Sequence, residues 1–227
     1  MYAARMAVLE TIDIETAPEP RASVIVLHGL GADGNDFVPI AQELALQPVG
    51  PVRFVFPHAP VIPVTINGGY RMRAWYDILE AGDLRQRQDE KGLRDSRARV
   101  EEIIAREKER GIAANRIVLA GFSQGCAMAL LTGLRHKERL GGILGMSGYL
   151  PLAETTEQER SDANRLTPIF LGHGSMDTMV PLDAAEKSRD ALRAMGYDVE
   201  WHEYPMAHSV CAEEVQAMSA WLNKVLA

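Results

Sequence analysis

The sequence predicts an α/β domain whose mostly parallel sheet is covered by helices on both faces. Short apolar runs, too brief for helices, recur along the chain, and segments with helical spacing of apolar residues lie between them. Strands that are apolar without a break are typical of a sheet buried on both faces. Six short runs lie at residues 23–27, 54–56, 116–120, 143–146, 168–171 and 199–204, and most of them are predicted to be such buried strands.

The predicted helices are recognised by their apolar spacing and by the residues that end them. Residues 93–104 and 185–195 carry apolar side chains at helical intervals, and Gly111 and Gly196 follow them as expected stops. The last helix repeats apolar residues at intervals of four and three, which puts them on one face: Cys211, Val215, Met218, Leu222 and Val225. Residues 6–14 are predicted to add an antiparallel edge strand.

One domain, residues 1–227, accounts for this pattern because no Gly/Ser-rich linker or internal repeat interrupts it. The exception is an irregular excursion at residues 57–89. It contains Pro60, Pro63 and the turn signal Asn67-Gly68-Gly69, and it lacks a sustained helical period. Long irregular segments in compact domains are usually binding loops or lids, so we expect this one to contact substrate.

Composition excludes several classes of function. The chain has 24 basic and 31 acidic residues and a net charge of −7, which disfavours nucleic acid as a partner. Its two cysteines, Cys126 and Cys211, form no C-x-x-C motif, so we expect neither a zinc site nor a disulfide framework. No run approaches about 18 apolar residues, and residues 1–15 lack the apolar core of a signal peptide. We therefore expect a cytoplasmic protein without membrane insertion.

Residues 121–125 read Gly-Phe-Ser-Gln-Gly and lie between a predicted strand and a predicted helix. A serine on a sharp strand-to-helix turn needs neighbours without side chains two positions before and after it. The turn lifts the serine Oγ above the carboxyl edge of the sheet, beside the positive end of the helix dipole. The pattern therefore predicts Ser123 as a nucleophile.

A serine nucleophile needs a base and an acid that orients the base. His208 lies in the loop between the last strand and the last helix, and Asp177 follows the strand at 168–171. The chain order Ser, Asp, His is that of an α/β-hydrolase. Asp162 is a weaker alternative acid, and helix capping explains Asp183.

The other five histidines are expected to be structural. His28 and His173 lie beside glycines and are expected to fix loops through hydrogen bonds to backbone. His58, His136 and His202 lie at a loop start, a helix end and inside a strand.

Acyl transfer also needs N–H donors aimed at the oxyanion. Gln124 supplies the amide after the nucleophile, and Leu30, in the glycine-rich loop at residues 28–34, is the expected second donor. A phosphate cradle is the alternative for this loop, but neither the G-x-G-x-x-G spacing nor a following Lys-Ser or Lys-Thr is present.

Seven ordered segments resemble the carboxylesterase, acyl-protein thioesterase and lysophospholipase branch of the α/β-hydrolases, most of all its small bacterial carboxylesterases. They lie at residues 28–34, 57–60, 74–77, 121–125, 146–150, 173–177 and 208–210. The resemblance implies the α/β-hydrolase fold without a large cap domain. It also implies Ser123 as nucleophile, His208 as base and then acid, Asp177 as its orienting acid, and Trp75 as a wall of the acyl pocket.

The expected reaction is hydrolysis of esters or thioesters of short to medium acyl chains, with no metal or organic cofactor. A lysophospholipid or a lipidated protein is the alternative substrate, and a lactone or peptide bond is a further one. A noncatalytic hydrolase-fold binding module would not need all three triad side chains. Val61, Ile62, Val64 and Ile66 offer an apolar loop for a homodimer contact or a lipid surface, and the resemblance favours the homodimer.

Overall fold

The computed structural model describes residues 9–80 and 88–227. The six predicted strands form, with boundaries that differ from the prediction by at most three residues. In chain order the strands are β1 (Thr11–Glu15), β2 (Ala22–Leu27), β3 (Val52–Pro57), β4 (Val61–Val64), β5 (Tyr70–Arg73), β6 (Ile117–Phe122), β7 (Gly142–Met146), β8 (Ile169–Gly174) and β9 (Val199–Tyr204).

The predicted helices also form, together with two short ones that the apolar spacing did not indicate, α1 and α4. The helices are α1 (Val38–Glu43), α2 (Glu90–Glu109), α3 (Gln124–Arg135), α4 (Ala153–Glu159), α5 (Leu182–Ala194) and α6 (Ala212–Val225). Gly111 and Gly196 have φ angles of 94° and 87°, which is why glycine stands where α2 and α5 end. No helix within the described residues combines the length and apolar character that a membrane span requires.

Seven strands form one sheet in the order β1-β3-β2-β6-β7-β8-β9. Neighbouring strands are parallel, except that β1 pairs antiparallel with β3 at the edge. This confirms the predicted edge strand, although residues 6–8 of the expected range lie outside the described residues. The carboxyl ends of the parallel strands share one edge of the sheet, so the loops that follow them meet there.

Two apolar clusters cover the two faces of this sheet. Ile25 and Leu27 of β2 pack into the cluster beneath α2, α3 and α5. Val24 and Val26 of the same strand pack into the opposite cluster, beneath α1 and α6. Alternate side chains thus enter different clusters, and both kinds must be apolar. Burial on both faces explains why the strands appear in the sequence as unbroken apolar runs.

The excursion at residues 57–89 is less irregular than expected. Antiparallel strands β4 and β5 pair through it as a hairpin, and Gly68 and Gly69 turn the chain with φ angles of 65° and 79°. Val61 and Ile66 are 46% and 43% exposed, whereas Val64 is buried. The homodimer or lipid contact of this hairpin stays a prediction. Residues 81–87 lie outside the described residues.

Glu214 lies in the first turn of α6 and is fully buried. It packs so closely on β8 that a Cβ atom added to Gly172 would lie 2.1 Å from its Oε1. Among residues 9–80 and 88–227, neither of its carboxyl oxygens has a hydrogen-bond partner. Burial raises the pKa of Glu214 to about 8, because the charged form loses its hydration. The folded chain therefore keeps this carboxyl mostly protonated at neutral pH.

Replacing Glu214 with Gln is expected to change how stability depends on pH. Between about pH 5 and pH 8 the folded chain holds a proton on Glu214 that the unfolded chain has released. As the pH rises through this window, the free energy of unfolding of the wild type should fall relative to that of Glu214→Gln, by roughly 3 kcal/mol. Urea unfolding at a series of pH values measures this difference.

Glu213→Gln is the matched control because Glu213 is exposed on the same helical turn. Its difference from the wild type should stay constant over the same pH range. A constant difference for Glu214→Gln as well would contradict the raised pKa.

Candidate active site

Ser123 occupies the turn between β6 and α3. Its backbone has φ 56° and ψ −118°, a conformation that residues with side chains rarely adopt. The Ser123 amide donates a hydrogen bond to the Met146 carbonyl of β7 at 2.9 Å, which ties the turn to the neighbouring strand. The sharp strand-to-helix turn predicted from the sequence is therefore present.

The two glycines of the motif are required by packing. A Cβ atom at Gly121 would lie 2.1 Å from the Gly125 carbonyl oxygen, and one at Gly125 would lie 1.9 Å from the Leu27 carbonyl oxygen. Both obstacles are backbone atoms, which no side-chain rotation can move. The first turn of α3 therefore lies directly against β6 and β2 only because these positions lack side chains.

Asp177 and His208 meet in the loops that follow β8 and β9. His208 Nδ1 lies 2.6 Å from Asp177 Oδ2. The other carboxylate oxygen, Oδ1, accepts hydrogen bonds from the amides of Met179 and Val180 at 2.8 and 2.9 Å. The Asp177 side chain is fully buried and that of His208 is 18% exposed, so the pair extends from the interior toward the surface.

Two further contacts hold this acid in place. His173 Nε2 donates to the Val180 carbonyl at 2.9 Å and lies 3.5 Å from Asp177 Oδ2. Burial lowers the pKa of His173, which favours its neutral form. The Met176 amide donates to the Met206 carbonyl at 3.0 Å and so joins the Asp177 loop to the His208 loop. His173 thus fixes a loop, as the sequence predicted.

Ser123 and His208 line one cleft of about 360 Å³. The Phe122 and His208 rings pack with their centroids 4.7 Å apart. Most of the lining is apolar, which suits a hydrocarbon chain better than a charged ligand. The lining residues are Gly29, Leu30, Ala32, Asp36, Ile66, Asn67, Tyr76, Ile78, Phe122, Ser123, Gln124, Tyr149, Met179, Val180 and His208.

Both predicted oxyanion donors, Leu30 and Gln124, lie in this lining. Gln124 is the first residue of α3, where amide groups have no acceptor within the helix. Its side chain accepts from the Trp75 amide at 3.1 Å and donates to the Tyr76 carbonyl at 2.9 Å. In the other loop, the Gly31 amide donates to the Arg73 carbonyl at 2.8 Å, next to Leu30. Both segments are therefore held from the side of the β4–β5 hairpin.

Trp75 was expected to form a wall of the acyl pocket, and the structure does not place it in the cleft lining. The side chain is only 1% exposed, and its indole N–H donates to the His28 carbonyl at 2.8 Å. A buried indole needs an acceptor for its single donor, and the first loop supplies one. Trp75 therefore lies behind the cleft and supports the loop that carries Leu30.

The aromatic residues that do line the cleft are Phe122, Tyr76 and Tyr149, and the sequence reasoning assigned none of them to it. Tyr76 and Tyr149 both lie in segments that carry the family resemblance, at residues 74–77 and 146–150. Their position in these segments was the only indication in the sequence that they could line the cleft. Ile66 belongs to the excursion at residues 57–89 that was expected to contact substrate, and it does line the cleft. Met179 was missed, because contact between distant segments leaves no local sequence pattern.

The remaining candidates have structural partners. His28 Nδ1 lies 2.7 Å from the Gly29 carbonyl, and His28 Nε2 accepts from the Ala59 amide at 3.0 Å, so this histidine fixes the first loop as expected. His58 accepts from the Gly34 amide, His136 contacts Glu101, and His202 contacts Glu200. The competing acids form ion pairs within their own helical turns, Asp162 with Arg165 and Asp183 with Lys187. Across the described part of the chain, no three His, Cys, Asp or Glu side chains are grouped so that they could hold a metal ion.

Comparison with known proteins gives one family match that spans almost the whole chain. The family model of phospholipases and carboxylesterases matches residues 10–226. Acyl-protein thioesterase 1 of Yarrowia lipolytica is 41% identical over 89% of this chain and 91% of its own length. Acyl-protein thioesterase 1 of Gibberella zeae is 40% identical, covering 92% of this chain and 93% of its own.

Solved structures agree with the sequence matches. SOBER1 of Arabidopsis thaliana superimposes with a TM-score of 0.86 at 29% identity, over 91% of this chain and all of its own. Acyl-protein thioesterase 2 of Zea mays gives a TM-score of 0.83 at 26% identity, over 96% of this chain and 100% of its own. The predicted α/β-hydrolase fold is confirmed.

Replacing Gly125 with Ala is expected to destabilise the fold by at least about 3 kcal/mol, because the new methyl group would collide with the Leu27 carbonyl. Gly111→Ala is the matched control. Its φ of 94° is strained for alanine, but nothing lies within 4 Å of the added atom, so a loss of about 1 kcal/mol is expected. Urea denaturation measures the free energy of unfolding of the wild type, Gly125→Ala and Gly111→Ala. Equal losses of stability in the two variants would show that the contact of Gly125 with the Leu27 carbonyl is not what requires glycine there.

Proposed function

The chain belongs to the phospholipase/carboxylesterase family of hydrolases, and we propose that it cleaves carboxylic esters and thioesters through an acyl-enzyme on Ser123. One observation carries this proposal. Ser123 and His208 line the same apolar cleft, and Asp177 contacts His208 Nδ1 at 2.6 Å from the buried side. These are the components that acyl transfer to a serine requires.

The first step is acylation. Because Asp177 accepts a hydrogen bond from Nδ1 of His208, Nε2 is the basic nitrogen. Nε2 takes the proton of Ser123 Oγ while Oγ attacks the acyl carbon. The same nitrogen then gives that proton to the alkoxide or thiolate as the bond to the leaving group breaks. Asp177 stabilises the imidazolium that forms in between, and its two amide donors hold the carboxylate in place.

The oxyanion of the tetrahedral intermediate needs two fixed donors. We assign them to the amides of Gln124 and Leu30. The Gln124 amide points from the N-terminus of α3, where the helix dipole favours negative charge. The Leu30 loop is braced by Trp75 and His28, so it does not have to reorganise as charge develops.

Deacylation repeats the sequence with water. His208 Nε2 takes a proton from a water molecule, the hydroxide attacks the acyl carbon, and Ser123 Oγ leaves with that proton. The carboxylic acid product then departs from the cleft. Neither half of the cycle calls for a redox step or an electron carrier.

A thioester on a lipidated protein is the second candidate substrate, and the names of the curated relatives favour it. The rim of the cleft includes Ile66 and Met179, which are 43% and 69% exposed. An open apolar rim would admit an acyl chain that is still attached to a bulky leaving group. The same Ser123 chemistry serves both substrates, since a thiolate is a better leaving group than an alkoxide.

Substitutions in the triad are expected to remove turnover without removing the fold. Ser123→Ala should abolish release of p-nitrophenol from p-nitrophenyl octanoate and release of thiol from an S-octanoylated peptide. Asp177→Asn should lower kcat by about 10³- to 10⁴-fold, because the imidazole loses its orienting partner.

Asp162→Asn is the matched control for the acid. Asp162 also lies between Ser123 and His208 in the chain, but its side chain is 86% exposed and pairs with Arg165. Its activity should stay within about twofold of the wild type. Retained hydrolysis in folded Ser123→Ala would contradict the proposed mechanism. Thiol release without phenol release would restrict the activity to thioesters.

A further inference from the structure

We propose that Tyr76 and Tyr149 together form the end wall of the acyl cleft and set the longest acyl chain that the site accepts. This inference rests on the proposed function, since it assigns the cleft to the acyl group. It starts from a contact that the mechanism does not use. The two phenolic oxygens lie 2.9 Å apart and hydrogen-bond to each other.

The two tyrosines come from opposite sides of the cleft. Tyr76 follows β5 of the hairpin, and Tyr149 follows β7 of the main sheet. Both side chains line the same cleft as Ser123, and each residue is only 3% exposed. Their hydrogen bond therefore links the hairpin side of the cleft to the sheet side.

A second, smaller cavity adjoins the pair. It shares Tyr76, Ile78 and Tyr149 with the cleft. Its remaining lining is mostly polar and consists of Asp77, Leu79, Glu80 and Gln88. The two tyrosines therefore line both the apolar cleft that contains Ser123 and a smaller cavity that does not.

The wall is anchored on both sides. The Tyr76 carbonyl accepts from Gln124 Nε2 at 2.9 Å, and Ser96 Oγ donates to the neighbouring Trp75 carbonyl. On the opposite side, the Leu150 amide donates to Ser188 Oγ at 2.9 Å, next to Tyr149. Backbone shifts that would separate the two rings therefore break several buried hydrogen bonds.

The hydrogen bond between the two hydroxyl groups makes it energetically unfavourable to separate the two rings. A hydrocarbon end forced between the rings would leave buried hydroxyl groups without their partner. That cost exceeds the gain from burying one more methylene group. Burial also raises the pKa of Tyr149 to about 12, so its hydroxyl stays protonated over the working pH range. A chain that reaches the wall must stop there or stay partly outside the cleft.

The test measures kcat/KM for p-nitrophenyl esters from two to twelve carbons, at concentrations below their aggregation limit. The readout is the ratio of laurate to butyrate hydrolysis, so each protein serves as its own reference. Tyr149→Leu shortens the wall and should raise this ratio at least tenfold. The double variant Tyr76→Phe/Tyr149→Phe keeps both rings but removes the hydrogen bond, and it should raise the ratio at least threefold.

Tyr197→Phe is the matched control, because it removes a hydroxyl from a buried tyrosine that is not part of the cleft lining. Its ratio should equal that of the wild type. An unchanged ratio in folded, active Tyr149→Leu and in the double variant would overturn the inference. A rise in Tyr149→Leu alone would overturn the part played by the hydrogen bond.

Failure of the proposed function would give a different result from failure of this inference. In that case the wild type would hydrolyse no ester of any length in a Ser123-dependent manner, and the inference would fall with it. The single variants Tyr76→Phe and Tyr149→Phe supply the same comparison if the double variant does not fold. Each should give a smaller rise in the ratio than the double variant.

Discussion

The close approach of α3 to the sheet at Ser123 is the constraint on which the site depends. The backbone reverses from β6 into α3 through one residue with a φ angle of 56°. This turn fits only because Gly125 lies against the Leu27 carbonyl without a Cβ atom. It places the serine Oγ and the Gln124 amide at adjacent positions on one rigid element. The proposed nucleophile and the proposed oxyanion donor therefore come from the same local geometry.

The proposed acid and base are positioned near this turn in a different way. Asp177 and His208 lie in separate loops, and the parallel strands β8 and β9 bring those loops to the same edge of the sheet. A fully buried carboxylate would be costly without hydrogen bonds, and the amides of Met179 and Val180 supply them. The backbone bond between Met176 and Met206 then joins the two loops. The pair is thus positioned before any substrate binds.

Much of this arrangement was predictable from the sequence. Strands buried on both faces leave unbroken apolar runs, and the glycines around Ser123 mark a turn that few other residues permit. Asp177 and His208 were predicted from their order and from their positions after strands. The structure brings these two residues into contact, and their catalytic roles stay predictions. Leu30 and Gln124 lie in the cleft as expected.

The parts that sequence reasoning missed depend on contacts between distant segments. Trp75 was expected in the pocket, but its indole N–H finds an acceptor in the His28 loop instead. The hydrogen bond between Tyr76 and Tyr149 joins residues 73 positions apart, and no local periodicity reports it. Helices α1 and α4 have six and seven residues, too few to establish an apolar repeat. The hairpin in the excursion was signalled only by its turn.

In the proposed mechanism, Ser123 carries the acyl group. The most direct measurement is mass spectrometry of the intact protein and its peptides after reaction with an alkyl fluorophosphonate, which traps activated serine nucleophiles. We expect one adduct per chain, on the peptide that contains Ser123, and a much slower reaction in His208→Ala. An adduct at another residue, or an unmodified Ser123 in folded protein, would rule out Ser123 as the nucleophile.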